Sequence, residues 1–275
     1  MIIDGKAIAA DIEAQVSKAL SGLSALPILA IVVVGKDPVI ESFVRIKKRM
    51  GERLNITVVE YYFPDTISGE ALKKKIEDIG NLETIDGIVI QLPLPPHIDA
   101  QAMLDAVPTE KDVDMLSRAS VALFARGDAH ILPPVAGAIQ EILERTKVSV
   151  AGREVLVLGY GRLVGIPVSI LMRHNQAHVT VIDREVLDLA EHVRESAIII
   201  SGVGKPGLIT PEMLSPGVVL VDAGTSESGG KIVGDIDPCC ADVASVFTPV
   251  PGGVGPIAVA MIFKNLCVLA RFKKD

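Results

Sequence analysis

Lys47 is the first residue whose type and position suggest chemistry. On the stretch PVIESFVRIKKRMGERLN the apolar residues Val39, Ile40, Phe43, Ile46, Met50 and Leu54 recur at helical spacing. Lys47 falls inside that stripe, while Arg45, Lys48 and Arg49 project to other faces. Such a lysine either runs its stem along the core with its ammonium in water, or is partly desolvated, with a lowered pKa suited to acid or base work near neutrality. Downstream, DGIVIQLPLPPH sets Gln91 at a strand end ahead of three prolines. Prolines cannot join a central sheet and stiffen the strand's exit, so the Gln91 amide is either a packed structural group or aimed at whatever lies beyond.

A second pattern, EVLVLGYGRLVGIPVSILM, reads as a strand ending at Leu158, a turn holding Gly159, Gly161 and Gly165, and a helix from near Val164. Glycines there allow a tight turn and a close approach to a pyrophosphate, while the helix start supplies free N–H groups. The spacing is one residue longer than the commonest dinucleotide fingerprint, and a plain strand-to-helix turn is the alternative. Asp183 ends the next strand, 24 residues after Gly159. Its carboxylate suits a ribose hydroxyl and repels a 2′-phosphate; alternatively it caps a helix beginning near Glu185. Arg184 beside it is a counter-charge that could pair with a phosphate. The turns Ser201 to Gly207 and Val221 to Glu227 follow later strands and are placed to flank a nicotinamide, with Lys205 a solvated turn residue.

These residues need a frame. Helices are expected over 6–22, 38–54, 68–80, 98–106, 136–147, 164–174, 186–193 and 254–271, with strands over 28–34, 56–62, 87–91, 153–158, 178–182, 197–201 and 217–222. The strands are rich in Ile and Val without polar alternation, which predicts an α/β fold of parallel sheets covered on both faces. Residues 108–135 lose the pattern and are read as a lobe boundary and part of a ligand cleft. A chain of 275 residues, 49% hydrophobic, is long enough for two lobes.

The balance of 27 basic against 34 acidic residues, net −7, argues against nucleic acid and anionic membrane as partners. No apolar stretch is expected to span a bilayer, and the acidic N-terminal segment lacks a signal-peptide pattern, so a cytoplasmic location is expected. Cys239, Cys240 and Cys267 have no metal-ligand spacing; they read as small, partly buried hydrophobes, and no metal is expected.

Taken together, IIDGKAIA, TIDGIVIQLPLP, KDVD, VGKPG, KIVGD and TPVPGGVGP carry a resemblance, over nearly the whole chain, to the bifunctional methylenetetrahydrofolate dehydrogenase/cyclohydrolase family. QLPLP with PVPGGVGP is its most specific part. The resemblance implies a folate-binding lobe, 1–138 completed by the C-terminal helix 254–275, a Rossmann-like NAD(P)-binding lobe over 139–253, a cleft between them, and a homodimer. It implies that Lys47, Gln91 and Asp114 line the folate site as catalytic residues, with Phe43, Pro93, Pro251, Gly252 and Gly253 also meeting the substrate. On the cofactor side it implies Gly159, Tyr160, Gly161, Arg162, Gly165, Pro167, Asp183, Arg184, Val203, Gly204, Thr225 and Ala258.

The chain also departs from the family's pattern. A tyrosine one turn before the lysine is Phe43 here, PCTPxG has become PPVAGA, the usual G-R-S turn reads Gly159-Tyr160-Gly161, a histidine is Asp183 and a threonine is Ala258. The implied function is NAD(P)-dependent oxidation of methylenetetrahydrofolate followed by hydrolysis of methenyltetrahydrofolate, with NAD favoured over NADP by Asp183 and Tyr160. A single-activity NAD-dependent dehydrogenase and a non-catalytic folate- or nucleotide-binding relative are the alternatives.

Overall fold

The computed structural model describes residues 1–183, 188–229 and 231–272. Contacts divide the chain into two compact units, Asp11–Pro134 with Val259–Asp275, and Met1–Ala10 with Val135–Ala258. The N-terminal segment groups with the later unit through backbone pairing: Ile3 N–H donates to the Phe247 carbonyl and Gly5 N–H to the Gly252 carbonyl, both at 2.9 Å.

The earlier unit contains most of helix α1 (Gly5–Leu20), strand β1 (Ile28–Val34), α2 (Pro38–Leu54), β2 (Thr57–Phe63), α3 (Gly69–Gly80), β3 (Gly87–Ile90), α4 (Ala100–Leu104) and α5 (Arg118–Arg126). Its three strands are parallel in the order β2-β1-β3. Ala30, Val32 and Val34 of β1 and Ile88 and Ile90 of β3 bury one face against Leu72, Ile76 and Ile79 of α3. Local signals fix α2: Asp37 accepts from the N–H groups of Val39 and Ile40, Pro38 opens the helix, and Asn55 closes it at φ 56°.

The later unit holds α6 (Pro134–Arg145), β4 (Glu154–Leu158), α7 (Gly165–His174), β5 (His178–Ile182), α8 (Leu189–Glu195), β6 (Ile198–Ser201), β7 (Val219–Asp222), the hairpin β8 (Ser226–Ser228) and β9 (Lys231–Val233), and β10 (Val246–Phe247). Its parallel sheet runs β10-β7-β6-β4-β5, so the strand order reverses between β4 and β6. That switch point is where a doubly wound sheet opens a ligand crevice.

Helix α9 (Val254–Phe272) ends the described chain. Beyond its first turn it packs into the earlier unit: a side chain on Gly51 would meet Val58 and the Phe263 ring, and one on Gly87 would meet Leu266 and Val113. Contrary to the expectation that no stretch would reach membrane length, α9 is long and apolar enough to span a bilayer, yet most of it is buried, with Phe263 and Leu266 in the core.

Two expectations about 108–135 and the apolar stripe need correction. The stretch read as patternless holds α5, capped by the Ser117 hydroxyl, which accepts from Ser120 N–H, and closed by Gly127 at φ 79°. The buried face of α2 is Ile40, Val44, Lys47, Met50 and Leu54, while Val39 and Ile46 are exposed, because the i, i+4, i+7 rows alone point at the sheet.

Candidate active site

Within the earlier unit, α2 and β3 bring Lys47 and Gln91 together. Lys47 is 7% exposed and its Nζ donates to Gln91 Oε1 at 2.9 Å. The Gln91 Nε2 donates to the Leu92 carbonyl at 3.0 Å, which orients the amide with its oxygen toward the lysine. Burial drives the Lys47 pKa below the ordinary lysine value, and the Asp114 charge pulls it partway back. The wet-ammonium reading of Lys47 is therefore replaced by a desolvated one.

Asp114 stands in the KDVD turn before α5. It keeps some solvent access, and among the described residues no side-chain hydrogen bond engages its carboxylate. Burial pushes its pKa up to about 6, against the opposing pull of Lys47 and with a further push from Asp112. Lys111 and Asp112 hold the turn: Lys111 Nζ donates to the carbonyls of Gly80 and Leu82, and the Asp112 carboxylate accepts from Leu116 and Ser117 N–H. Asn265 of α9 completes the frame, its Nδ2 donating to the carbonyls of Val113 at 2.9 Å and Leu132 at 2.8 Å. Sequence reading missed Asn265; a polar residue in the middle of a mostly apolar helix was its signal.

Phe43 lies one turn before Lys47, half-buried, and Pro93 is exposed after a cis peptide bond with Leu92. Pro251, Gly252 and Gly253 belong to the later unit. Pro251 follows a cis bond with Val250, Gly252 takes φ 108°, and a side chain on Gly253 would strike the Pro249 carbonyl.

In the later unit, β4 delivers the glycine turn. Gly159 adopts φ 87° and donates to the Ile182 carbonyl, and a side chain on Gly165 would occupy the place of the Gly159 carbonyl. Gly161 faces open space, and Val164 precedes α7 with no side chain capping the helix's first N–H groups. The turn thus leaves bare backbone and a helix start available, which fits a dinucleotide's phosphates. Across the switch point Gly202 N–H donates to the Leu158 carbonyl at 3.0 Å. Tyr160 and Arg162 are exposed, Pro167 is buried in α7, Val203, Gly204 and Thr225 lie on exposed loops, and Ala258 is half-buried in α9.

Asp183 Oδ1 accepts from Tyr160 N–H at 2.8 Å, tying the end of β5 to the glycine turn. Among the described residues, α8 runs from Leu189 after Asp188. Arg184 lies outside the described residues, as does the expected start of that helix. Two further acids were not singled out from sequence. Asp222 ends β7 and Asp235 follows β9, and both are sealed inside the loops beyond the sheet. Among the described residues no cluster of His, Cys, Asp or Glu suits a metal. Cys240 and Cys267 are buried as expected, with thiol pKa values pushed by burial up to about 12 and about 11, whereas Cys239 is exposed at the start of a 3-10 turn.

Comparison with known proteins bears on both units. Residues 3–114 match the tetrahydrofolate dehydrogenase/cyclohydrolase catalytic domain, and residues 133–274 match the NAD(P)-binding domain of the same family. The bifunctional protein FolD of Moorella thermoacetica is 39% identical over 275 residues, covering 98% of each chain. Among solved structures, the bifunctional methylenetetrahydrofolate dehydrogenase/cyclohydrolase of Campylobacter jejuni superposes with TM-score 0.95 at 29% identity, over 99% of each chain. The Trypanosoma brucei dehydrogenase-cyclohydrolase, solved with NADP and an inhibitor, gives 0.93 at 32% identity over 100% of this chain and 98% of that one. Two lobes of parallel α/β structure, a buried lysine bonded to a strand-end glutamine and a glycine turn at a switch point accord with these matches: the chain belongs to the tetrahydrofolate dehydrogenase/cyclohydrolase family, with a catalytic domain and an NAD(P)-binding domain.

Proposed function

We propose that this bifunctional enzyme of one-carbon folate metabolism oxidises methylenetetrahydrofolate to the methenyl form and hydrolyses it to formyltetrahydrofolate, with Lys47, Gln91 and Asp114 as its catalytic residues. The observation that carries the assignment is the buried Lys47 ammonium held at 2.9 Å by Gln91 Oε1. A lysine with a depressed pKa takes a proton from the attacking water and returns one to the ring nitrogen as the carbon–nitrogen bond opens. Gln91 keeps the Lys47 Nζ on station. The Asp114 carboxylate, with no side-chain partner among the described residues, accepts the amino and ring N–H donors of a pterin. Phe43 offers no hydroxyl to this network and favours a slower hydrolytic step. Pro93 and the Pro251–Gly253 backbone are assigned to the walls around the folate.

The dehydrogenase step asks mainly for alignment of two rings. When bound, NAD(P) supplies the acceptor for the departing hydride. Gly159, Tyr160, Gly161, Arg162, Gly165 and Pro167 are assigned to the pyrophosphate, Asp183 and Arg184 to the ribose, and Val203, Gly204, Thr225 and Ala258 to the nicotinamide half. NAD is favoured over NADP: the Asp183 carboxylate is fixed beside the turn by Tyr160 N–H and stands where a 2′-phosphate would bring further negative charge. The folate lobe is assigned to 1–138 with 254–275 and the cofactor lobe to 139–253, in a cytoplasmic homodimer. Purified protein is to be assayed for methenyl formation with NAD and NADP, then for methenyl decay without cofactor. Decay no faster than in buffer would overturn the Lys47 assignment.

A further inference from the structure

Beyond the sheet's carboxyl end, four loops meet on two carboxylates. Asp235 is 0% exposed, and its Oδ2 accepts from the Ser201 hydroxyl at 2.7 Å and Val203 N–H at 2.8 Å, while its Oδ1 accepts from Lys205 N–H at 2.8 Å. Asp222, at the end of β7, accepts from the N–H groups of Gly224, Asp235 and Ile236. Its own N–H donates to the Thr248 hydroxyl at 2.7 Å, at the head of the PVPGG loop. Every loop that follows β6, β7, β9 and β10 is thereby tied to one relay.

The packing leaves this relay no freedom. A side chain on Gly224 would collide with the Asp235 carboxylate, and one on Gly234 with that of Asp222. The carboxylates thus fill the volume that the two glycines vacate. Asp222 has almost no solvent access and Asp235 none. What it controls is the backbone of residues 201–205, whose Gly202 carbonyl lies against the glycine turn and whose Gly202 N–H bonds Leu158 across the switch point.

We infer that Asp235 is a positioning residue for cofactor binding: its carboxylate, held in register by Asp222, fixes the Ser201–Lys205 loop in the shape that receives the nicotinamide half of the dinucleotide. This inference rests on the assignment of NAD(P) to the switch point. A carboxylate is required because the three donors converge on it at once, and an amide, with one end a donor, confronts at least one N–H of the loop with another.

The test is Asp235→Asn, with Ser201→Ala as a second variant that deletes only the hydroxyl tie. Binding of NADH and NADPH is read by fluorescence titration, the loop by amide hydrogen exchange at Val203 and Lys205 in ligand-free protein, and cyclohydrolase by methenyl decay without cofactor. For Asp235→Asn we expect faster exchange at both amides, a dinucleotide Kd and KM raised about tenfold with a smaller change in kcat, and methenyl decay within twofold of wild type. Ser201→Ala is expected to shift the Kd in the same direction by about threefold, and it carries the test if Asp235→Asn does not fold. Unchanged dinucleotide affinity in the folded variants overturns the inference. So does equal loss of both activities with a lowered Tm, since that marks a merely structural role. Failure of the wild-type protein to bind either dinucleotide overturns instead the cofactor assignment on which the inference rests.

Discussion

Replacing Lys47 by methionine keeps most of the buried stem's volume and removes the ammonium. Two structural consequences oppose each other: Gln91 Oε1 loses its 2.9 Å donor, at about 1–3 kcal/mol for a buried acceptor, while the fold no longer desolvates the charge whose pKa burial depresses. Stability is therefore expected to change little, with Tm within a few degrees of wild type. The chemical consequence has no such compensation. A positioned proton-transfer group contributes about 10²–10⁴ in rate, equal to about 3–5 kcal/mol of barrier. That loss falls on hydrolysis, where a proton must leave water and another must reach nitrogen, and only weakly on hydride removal. The assay follows methenyl absorbance twice on one preparation: its rise with cofactor present, and its decay without. Lys47→Met is expected to show decay at the buffer rate and a dehydrogenase rate retained in part. Parallel loss of both rates, with folate affinity unchanged, would refute the assignment of proton transfer to Lys47.

Phe43→Tyr places a hydroxyl one turn before Lys47 and is expected to raise the cyclohydrolase rate; an unchanged or lower rate in the methenyl-decay assay would mean that no hydroxyl is wanting there. Asp183→Ser removes the carboxylate beside the glycine turn and is expected to move the NADP/NAD ratio of kcat/KM upward, and a tenfold preference of the wild-type protein for NADP would show that Asp183 does not set the choice. Asp114→Asn tests linkage. Between the ordinary value of 3.8 and the folded value of about 6, the folded chain keeps a proton that the unfolded chain has lost, so wild-type stability falls as pH rises through that window. The stability of Asp114→Asn relative to wild type is therefore expected to grow from pH 4 to pH 7, by at most about 3 kcal/mol, less the screening that the residual exposure of Asp114 allows. Urea unfolding at several pH values reads it, and a flat difference would contradict a raised Asp114 pKa.

What could be read from sequence was what local chemistry specifies. The bounds of α2 follow from Asp37, Pro38 and Asn55, and β1 from an uninterrupted apolar run. Lys47 stood out because a cation breaks a stripe, although Val39 and Ile46 were wrongly placed on it: neighbouring apolar residues at one helix end blur which row faces inward. Helix α5 was passed over despite Ser117 and Gly127 at its two ends, since its charges and short length hide the period. The three-residue strands β8 and β9 were missed because they are too short to show a period. Asp222 and Asp235 were beyond local reading altogether. Asp235 finds its hydroxyl donor 34 residues away, and nothing beside it in the chain announces that partner.

The two amide hydrogen bonds of Asn265 reach back 152 and 133 residues, and the Phe247 carbonyl accepts from Ile3 N–H at the opposite end of the chain. Each unit is therefore assembled from segments made at both the beginning and the end of translation. Without α9, Gly51 of α2 and Gly87 of β3 lack the Phe263 and Leu266 side chains that pack beside them. Closure of the earlier unit therefore depends on a helix that follows most of it in the chain. A chain cut before Val254 would lack the Asn265 side chain that ties Val113 to Leu132.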